Sequence, residues 1–367
     1  MTTLSAWVHG HYRRESGSYE GTQSALYRLT DLRNRGMVNH KASTQLLQEA
    51  GLTDFTFQLI WADDGDTPDR VLEHRLETAE GVVVFVHGWT GSYRIWESLP
   101  GMVVTANPKL VALCVDHNGF GNSRFEASIP PIEKCDPPAA MKVLQRVIDL
   151  LRVRRDATQL NPRVINFVGH SMGGAVLFFL NPMQWGEGEV TRYALAPALL
   201  LEDELHQAFY TTLGTGINLL QRLPVLEFIE RVIQPRMIDI LCNGASHFVK
   251  QQHTRQYMDT RRGVTGATFR AMGLLKDVEI PREWKTFRVI LGHKDNLVGL
   301  TNMMDLLGGL EFPVRNIRVV PGSHYMFSVA DATQEQSEVV YQHVQSRQLI
   351  VEDILDLHDR AYLHLTR

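Results

Sequence analysis

Cysteine is scarce. The chain carries three, Cys114, Cys135 and Cys242, an odd number at spacings that match no zinc-binding pattern. A disulfide framework is therefore not what organises the fold, and Cys114 lies inside an apolar run that reads as a buried strand. A reducing, cytoplasmic setting is the simplest expectation. Long apolar runs are missing too. None approaches the roughly 18 residues that a membrane-spanning helix needs, so no integral membrane segment is expected. The opening Met1-Thr2-Thr3-Leu4-Ser5-Ala6-Trp7-Val8 lacks a charged region followed by an apolar stretch, so no signal peptide is expected. No basic block stands out: 37 Lys and Arg against 41 Asp and Glu leave a net charge of −4. Nucleic acid and anionic membranes are not expected partners. Arg13-Arg14 is short, and the arginines between 152 and 155 read as a helix end. No His-x-x-x-His or carboxylate cluster calls for a metal, and neither a metal nor a cofactor is expected. There is no internal repeat and no low-complexity tract.

What remains is ordinary globular composition, 44% apolar and 21% charged over 367 residues. That length allows two domains or one large α/β domain with insertions. Residues 1–52 read as a helical extension. Ala25, Leu26, Leu29 and Leu32 fall at helical spacing with Gly36 as a stop, and Ser43 and Gly51 bracket a second short helix. Phe55 to Trp61 alternates like a strand, and Val71 to Leu76 is expected to pair with it across Asp63-Asp64-Gly65-Asp66. From residue 81 strands and helices alternate. Strands are expected at 82–86, 110–115, 164–168, 190–195, 287–291 and 317–320. Helices are expected at roughly 93–105 and at 138–154, where Ala140, Val143, Leu144, Val147, Ile148 and Leu151 share one stripe.

Alternation of this kind predicts an α/β fold: a mostly parallel central sheet of about eight strands flanked by helices. The core is expected over 53–197 and 284–367, with a helical cap over 198–283 inserted after strand six. That insertion is punctuated by Pro224 and Pro235. It includes an apolar section from Leu219 and Leu220 through Leu223, Val225, Leu226, Phe228, Ile229, Val232 and Ile233. Besides having its own core, it could roof a substrate pocket. In the tail, Val339, Val340, His343 and Val344 read as the last core helix. A second helix through Ile354, Leu355, Leu357 and Leu363 is a candidate for packing, pocket closure or a homodimer contact.

Chemistry concentrates at Gly169-His170-Ser171-Met172-Gly173-Gly174. An apolar strand precedes it and Ala175-Val176-Leu177-Phe178-Phe179-Leu180 follows. A serine at such a strand-to-helix turn is pushed out of the sheet edge, and the flanking glycines leave it room. The next residue, Met172, opens a helix, so its N–H can point at a developing oxyanion. A serine hydroxyl also needs a base, and the base needs a group that holds its tautomer. Both should lie on loops at the carboxyl ends of strands. His324, after Ile317 to Val320 and the turn Pro321-Gly322-Ser323, fits the base. Asp295, after the strand ending at Leu291 and Gly292-His293-Lys294, fits the acid. Asp203, with Glu202 and Glu204 beside it, is the rival acid. A second oxyanion donor is expected from His87-Gly88-Trp89 after the strand at 82–86. There Gly88 allows close approach, the Trp89 N–H donates and the Trp89 indole could wall the pocket. His87 reads as a residue that orients this loop through a hydrogen bond, with an active-site acid as the other reading. His87, Gly88, His170 and Phe120 are candidates for substrate contact.

Together with Asp116-His117-Asn118-Gly119-Phe120-Gly121-Asn122-Ser123 and Gly292-His293-Lys294-Asp295-Asn296-Leu297-Val298, these motifs resemble the α/β-hydrolase superfamily over roughly residues 80–330. The serine turn is similar to that of monoacylglycerol lipases, esterases and related hydrolases. The resemblance implies Ser171 as nucleophile, His324 as base, Asp295 as acid, and Trp89 with Met172 as oxyanion donors. The chain departs from the pattern at Asn118, where relatives often carry arginine or proline. The leader and tail also exceed the minimal fold.

Epoxide hydrolases and haloalkane dehalogenases of this fold use a carboxylate nucleophile, whereas a serine forms an acyl-enzyme. The expectation is an esterase or lipase-like hydrolase acting on a small, moderately apolar acyl substrate. Thioester, lactone, amide or carbon–carbon cleavage by the same triad is the alternative, and a receptor-like binding protein is the alternative of another class. Activity is expected to rise through roughly pH 6 to 7, where an imidazole of ordinary pKa loses its proton.

Overall fold

The computed structural model describes residues 19–65, 71–152, 164–185, 190–199, 204–220, 236–242, 244–275, 279–329 and 337–366. Its centre is an eight-stranded sheet in the order β1-β2-β4-β3-β5-β6-β7-β8. The strands are β1 (Thr22–Arg28), β2 (Thr56–Ala62), β3 (Gly81–Val86), β4 (Leu110–Asp116), β5 (Val164–His170), β6 (Val190–Leu195), β7 (Phe287–Gly292) and β8 (Ile317–Val320). β2 runs antiparallel to β1 and β4, and the pairings from β4 to β8 are all parallel. In register, Val86 at the end of β3 stands beside Val115 of β4 and Gly169 of β5. Every residue of β3, β4, β5 and β6 is buried. Continuous runs such as Val82-Val83-Val84-Phe85-Val86 form strands here because helices cover both faces of a parallel sheet.

The helices are α1 (Leu29–Asn34), α2 (His40–Ala50), α3 (Val71–Thr78), α4 (Leu99–Ala106), α5 (Pro137–Arg152), α6 (Met172–Val176), α7 (Glu204–Leu220), α8 (His247–Asp259), α9 (Arg262–Met272), α10 (Leu300–Gly309) and α11 (Ser337–Thr366). α5 buries Ala140, Leu144, Val147, Ile148 and Leu151, most of the stripe its period predicts. Between β6 and β7 the described elements are helical, and α7 packs along α9.

Four local expectations are corrected. Residues 22–28 are a strand, not part of a helix. β1 is the edge of the sheet, partly exposed along its length, so it lacks the apolar run that marks an inner strand. The helical spacing is real only from Leu29, where α1 begins and buries Leu29 and Leu32. Val71 to Thr78 is a helix, not the hairpin partner of β2. Its Leu72 and Leu76 are one turn apart and buried, and Arg75 pairs with Asp64 and lies over the Trp61 ring. α2 is capped by Asn39, whose side chain accepts the Ala42 N–H at 3.0 Å, while Ser43 lies one turn inside. The two expected tail helices are one helix of 30 residues, α11. Neither glycine nor proline falls inside it, so nothing breaks the chain.

The expected helix near 93–105 is divided. A short turn at Tyr93–Trp96 is separated from α4 by Glu97, which has φ +52°. The apolar section after Leu220 lies outside the described residues, as do Arg13, Arg14, Arg154, Arg155, Pro224, Pro235, Glu202 and Asp203. No helix among the described residues is long and apolar enough to cross a membrane.

Candidate active site

Parallel strands end on one edge, and that edge gathers the candidate residues. His87 to Thr90 follow β3, the Asp116 turn closes β4, Ser171 follows β5, Asp295 follows β7 and His324 follows β8.

Ser171 joins β5 to α6 with φ +54° and ψ −118°, a conformation that a side chain rarely adopts. The surroundings hold it there. Its N–H donates to Leu195 O at 3.0 Å, and its own carbonyl accepts the N–H groups of Ala175 and Ala198. Met172 opens α6, so its N–H is one of those a helix start leaves without an intrahelical acceptor. The turn needs Gly173 because a Cβ there would stand 2.1 Å from Val86 O and 2.4 Å from His87 O. Those atoms are backbone and cannot rotate away. Gly173→Ala should therefore cost about 1–3 kcal/mol and lower the melting temperature by several degrees. Thermal unfolding by circular dichroism checks this, and an unshifted transition would contradict such close packing.

His324 and Asp295 are both buried, and His324 Nδ1 donates to Asp295 Oδ2 at 2.9 Å. Asp295 Oδ1 accepts the N–H groups of Leu297 at 2.9 Å and Val298 at 3.2 Å. Burial alone would raise the carboxyl pKa. The charge and hydrogen bond of His324, with the two N–H donors, outweigh burial and hold it below the ordinary aspartate value. His324 Nε2 is buried and has no partner among the described residues. An imidazole held this way by a carboxylate can take a proton at Nε2 and give it back.

Gly88 lies directly against the Ser171 turn: a Cβ on it would be 3.0 Å from Ser171 Cβ. His87 holds this loop. Its Nε2 accepts the His117 N–H at 3.2 Å, so the proton sits on Nδ1 and is donated to Gly88 O at 2.7 Å. Burial first, then the neighbouring His117, holds His87 well below the ordinary histidine pKa, which keeps the ring neutral. A trans peptide points its C=O and N–H in opposite directions, so fixing Gly88 O also aims the Trp89 N–H. The Trp89 indole is tied to the insertion, donating to Thr268 Oγ1 at 3.2 Å and packing on Phe269 and Tyr257.

Of the candidates for substrate contact, His170 and Phe120 are fully buried. His170 Nε2–H donates to His324 O at 3.0 Å, and its ring packs on those of His324 and Tyr325. Phe120 packs edge-on to His87. Asn118 has φ +55° and donates to Cys135 O at 2.7 Å; asparagine tolerates that left-handed conformation, which accounts for the departure at this position. Asp116 accepts the N–H groups of Tyr93 and Asn122, binding the turn after β4 to the loop after β3.

Sequence reasoning passed over Thr90, Glu97, His253 and Tyr325. Glu97 is buried, and its carboxylate accepts from Ser246 Oγ, Ser328 Oγ and the Val329 N–H. His253 lies on α8 between the loop after β3 and the segment after β8. Tyr325's position next to His324 and Thr90's next to Trp89 were the available signals. Glu97 and His253 sit far apart in the chain, in no motif.

The same fold recurs in known structures. An esterase from Exiguobacterium antarcticum superposes with a TM-score of 0.51 at 15% identity, covering 77% of this chain and 93% of that one. A thermophilic esterase from Thermogutta terrifontis gives 0.51 at 14% identity, covering 84% and 97%. A bromoperoxidase from Bacillus anthracis gives 0.53 at 14% identity, covering 90% and 100%. At such identities the likeness is one of fold. Comparison with curated proteins yields no match. The sequence profile of the alpha/beta hydrolase family matches residues 83–336, from β3 through the segment that carries His324. With most of its length matched and the eight strands in place, the chain belongs to the alpha/beta hydrolase family.

Proposed function

We propose that the protein is a serine hydrolase that cleaves carboxylic esters through an acyl-enzyme on Ser171. The observation that carries this reading is the buried His324–Asp295 pair, 2.9 Å apart, with Nε2 of the histidine left for the nucleophile. Ser171 Oγ attacks the acyl carbon while His324 Nε2 takes the hydroxyl proton. The Trp89 and Met172 N–H groups receive the charge that develops on the carbonyl oxygen. The protonated His324 then gives its proton to the leaving alkoxide. In the second half water attacks the acyl-enzyme, His324 again accepts a proton, and the acid leaves. Asp295 stays ionised and stabilises the imidazolium in both halves.

The small-molecule substrate is moderately apolar on this reading. Trp89, Phe269 and Tyr210 pack in sequence, with ring centroids 4.5 Å and 4.4 Å apart, so the insertion brings aromatic surface to the oxyanion loop. Such a wall favours hydrocarbon over charged acyl groups.

Two measurements test the proposal. A fluorophosphonate probe should label the protein on the peptide that contains Ser171 and nowhere else, as read by mass spectrometry. A panel of p-nitrophenyl esters with matched thioesters and anilides should then show the ester turned over fastest. An unlabelled Ser171, or hydrolysis that survives complete labelling, would refute the nucleophile.

A further inference from the structure

A chain of buried hydrogen bonds runs from the residue after the catalytic-histidine candidate, through the insertion, to the oxyanion loop. Tyr325 Oη lies 2.6 Å from His253 Nε2, His253 Nδ1 lies 3.1 Å from Thr90 Oγ1, and Thr90 Oγ1 donates to Trp89 O at 2.8 Å. The donor order follows from the last acceptor. A carbonyl only accepts, so Thr90 spends its proton on Trp89 O and accepts from His253 Nδ1–H. His253 Nε2 then accepts, and Tyr325 donates. Every direction along the chain is thereby set.

The geometry of Thr90 shows why the loop needs holding. Its φ is +51°, the left-handed region that a β-branched residue rarely enters. Such a backbone persists only where its surroundings over-determine it. The hydroxyl of Thr90 is held from both sides, by His253 and by Trp89 O. The peptide units on either side of the Trp89 Cα are thus both fixed. His87 anchors the Gly88–Trp89 unit, whose N–H is the proposed oxyanion donor, and the chain through His253 anchors the Trp89–Thr90 unit.

α8 is itself pinned along its length. At its start Ser246 donates to Glu97 at 2.6 Å, and its N–H donates to Ser328 Oγ at 2.8 Å. His253 stands two turns further on, on the same face. Gln256, near the end, accepts the Gly121 N–H at 3.1 Å. One helix of the insertion therefore touches the loops that follow β3, β4 and β8.

We propose that His253 is a positioning residue, which holds the Trp89–Thr90 loop so that the Trp89 N–H is aimed at the oxyanion while α8 is docked. This rests on the reading of Ser171 as nucleophile and the Trp89 N–H as donor. His253 touches no reacting atom. Its pKa is pushed down to about 4 by burial, so the neutral ring keeps one donor and one acceptor across the pH range of turnover.

The test uses the full-length protein and a p-nitrophenyl ester that the parent hydrolyses in a Ser171-dependent manner. His253→Phe keeps a ring but removes both hydrogen bonds, and Thr90→Val and Tyr325→Phe cut the chain at either end with little change of volume. Each should lower kcat by about 10- to 100-fold, short of the full loss of an oxyanion donor, with KM within about twofold. His253→Gln, which retains a donor and an acceptor, should recover much of the loss. The double variant Thr90→Val with Tyr325→Phe should lose less than the product of the two single losses, because both cut one chain. The shape of the pH–rate profile should stay that of the parent in all of them, since loop aim carries no proton. Unchanged kcat in His253→Phe and Thr90→Val would overturn the proposal. So would independent, multiplicative losses, or losses that merely follow a fall in thermal stability. A parent with no Ser171-dependent turnover would remove both this inference and the ester-hydrolase reading, whereas an active parent with unaffected variants would remove only this one.

Discussion

Ser171→Ala should lower kcat for a p-nitrophenyl ester by about 10⁴- to 10⁶-fold while leaving KM nearly unchanged. On the proposed mechanism the lost group is the lone pair that attacks the acyl carbon, which a methyl group cannot supply. Substrate binding does not use it, so the loss falls on kcat. What survives is the help that the Trp89 and Met172 N–H groups give to direct attack by water. The fold should be indifferent to the change. Ser171 holds its φ of +54° through backbone bonds to Leu195, Ala175 and Ala198, and alanine bears the same steric cost there. Melting temperatures of the two proteins should therefore agree closely. Pre-steady-state measurements with excess substrate should also lose any burst of p-nitrophenol that an accumulating acyl-enzyme produces. Parent-like turnover in a folded Ser171→Ala protein would exclude the acyl-enzyme route.

Legibility in the sequence follows burial. The inner strands announce themselves because both faces are covered and nearly every side chain must be apolar. Val190 to Leu195, buried throughout, ends where its composition predicts, and Ile317 to Val320 does so too although it is the sheet's other edge. β1 announces nothing: it pairs on one side only, its side chains are partly exposed, and Leu26 is half exposed. Spacing alone assigns it to a helix, and only pairing with β2, through contacts such as Leu26 with Gln58, makes it a strand. The segment at 71–78 fails for the opposite reason. Val71, Leu72 and Leu76 suit a strand or a short helix equally, and packing of Leu72 and Leu76 decides the outcome.

The candidate site divides along the same line. Ser171, Asp295 and His324 stand out because each follows a strand, in the chain order that the resemblance to the family implies. The hydrogen bond between Asp295 and His324 joins two of them. The groups that hold the site in shape are invisible by comparison. His253 and Glu97 are charged or polar residues scattered among ordinary helical sequence. They acquire meaning only when α8 carries Ser246 to Glu97 and His253 to Tyr325. Short-range pattern cannot reveal contacts between residues 149 and 72 positions apart in the chain.

Asp295→Asn should lower kcat by about 10³- to 10⁴-fold through a change of tautomer. Two N–H groups, those of Leu297 and Val298, converge on Asp295 Oδ1 and require an acceptor there. An amide can satisfy them only by placing its oxygen at that position, which turns its NH₂ toward His324 Nδ1. The imidazole must then accept at Nδ1 and carry its proton on Nε2, the nitrogen that should take the proton of Ser171. Removal of the anion also leaves the imidazolium that forms during turnover without its counter-charge, which adds to the loss in kcat. Stability should respond with a sign that can be worked out. Burial raises the Asp295 pKa and its partners lower it further, so the folded value lies below that of the unfolded chain. The carboxylate therefore stabilises the fold at pH values above the ordinary aspartate pKa of about 3.9, and that contribution is lost as the pH falls through the folded value. Asp295→Asn should accordingly lower the melting temperature more at pH 7 than near pH 3.5. Calorimetry at the two pH values, beside steady-state kinetics, reads both effects. A variant that turns over within about threefold of the parent would move the acid's role away from Asp295, and Asp203→Asn would become the substitution to measure next.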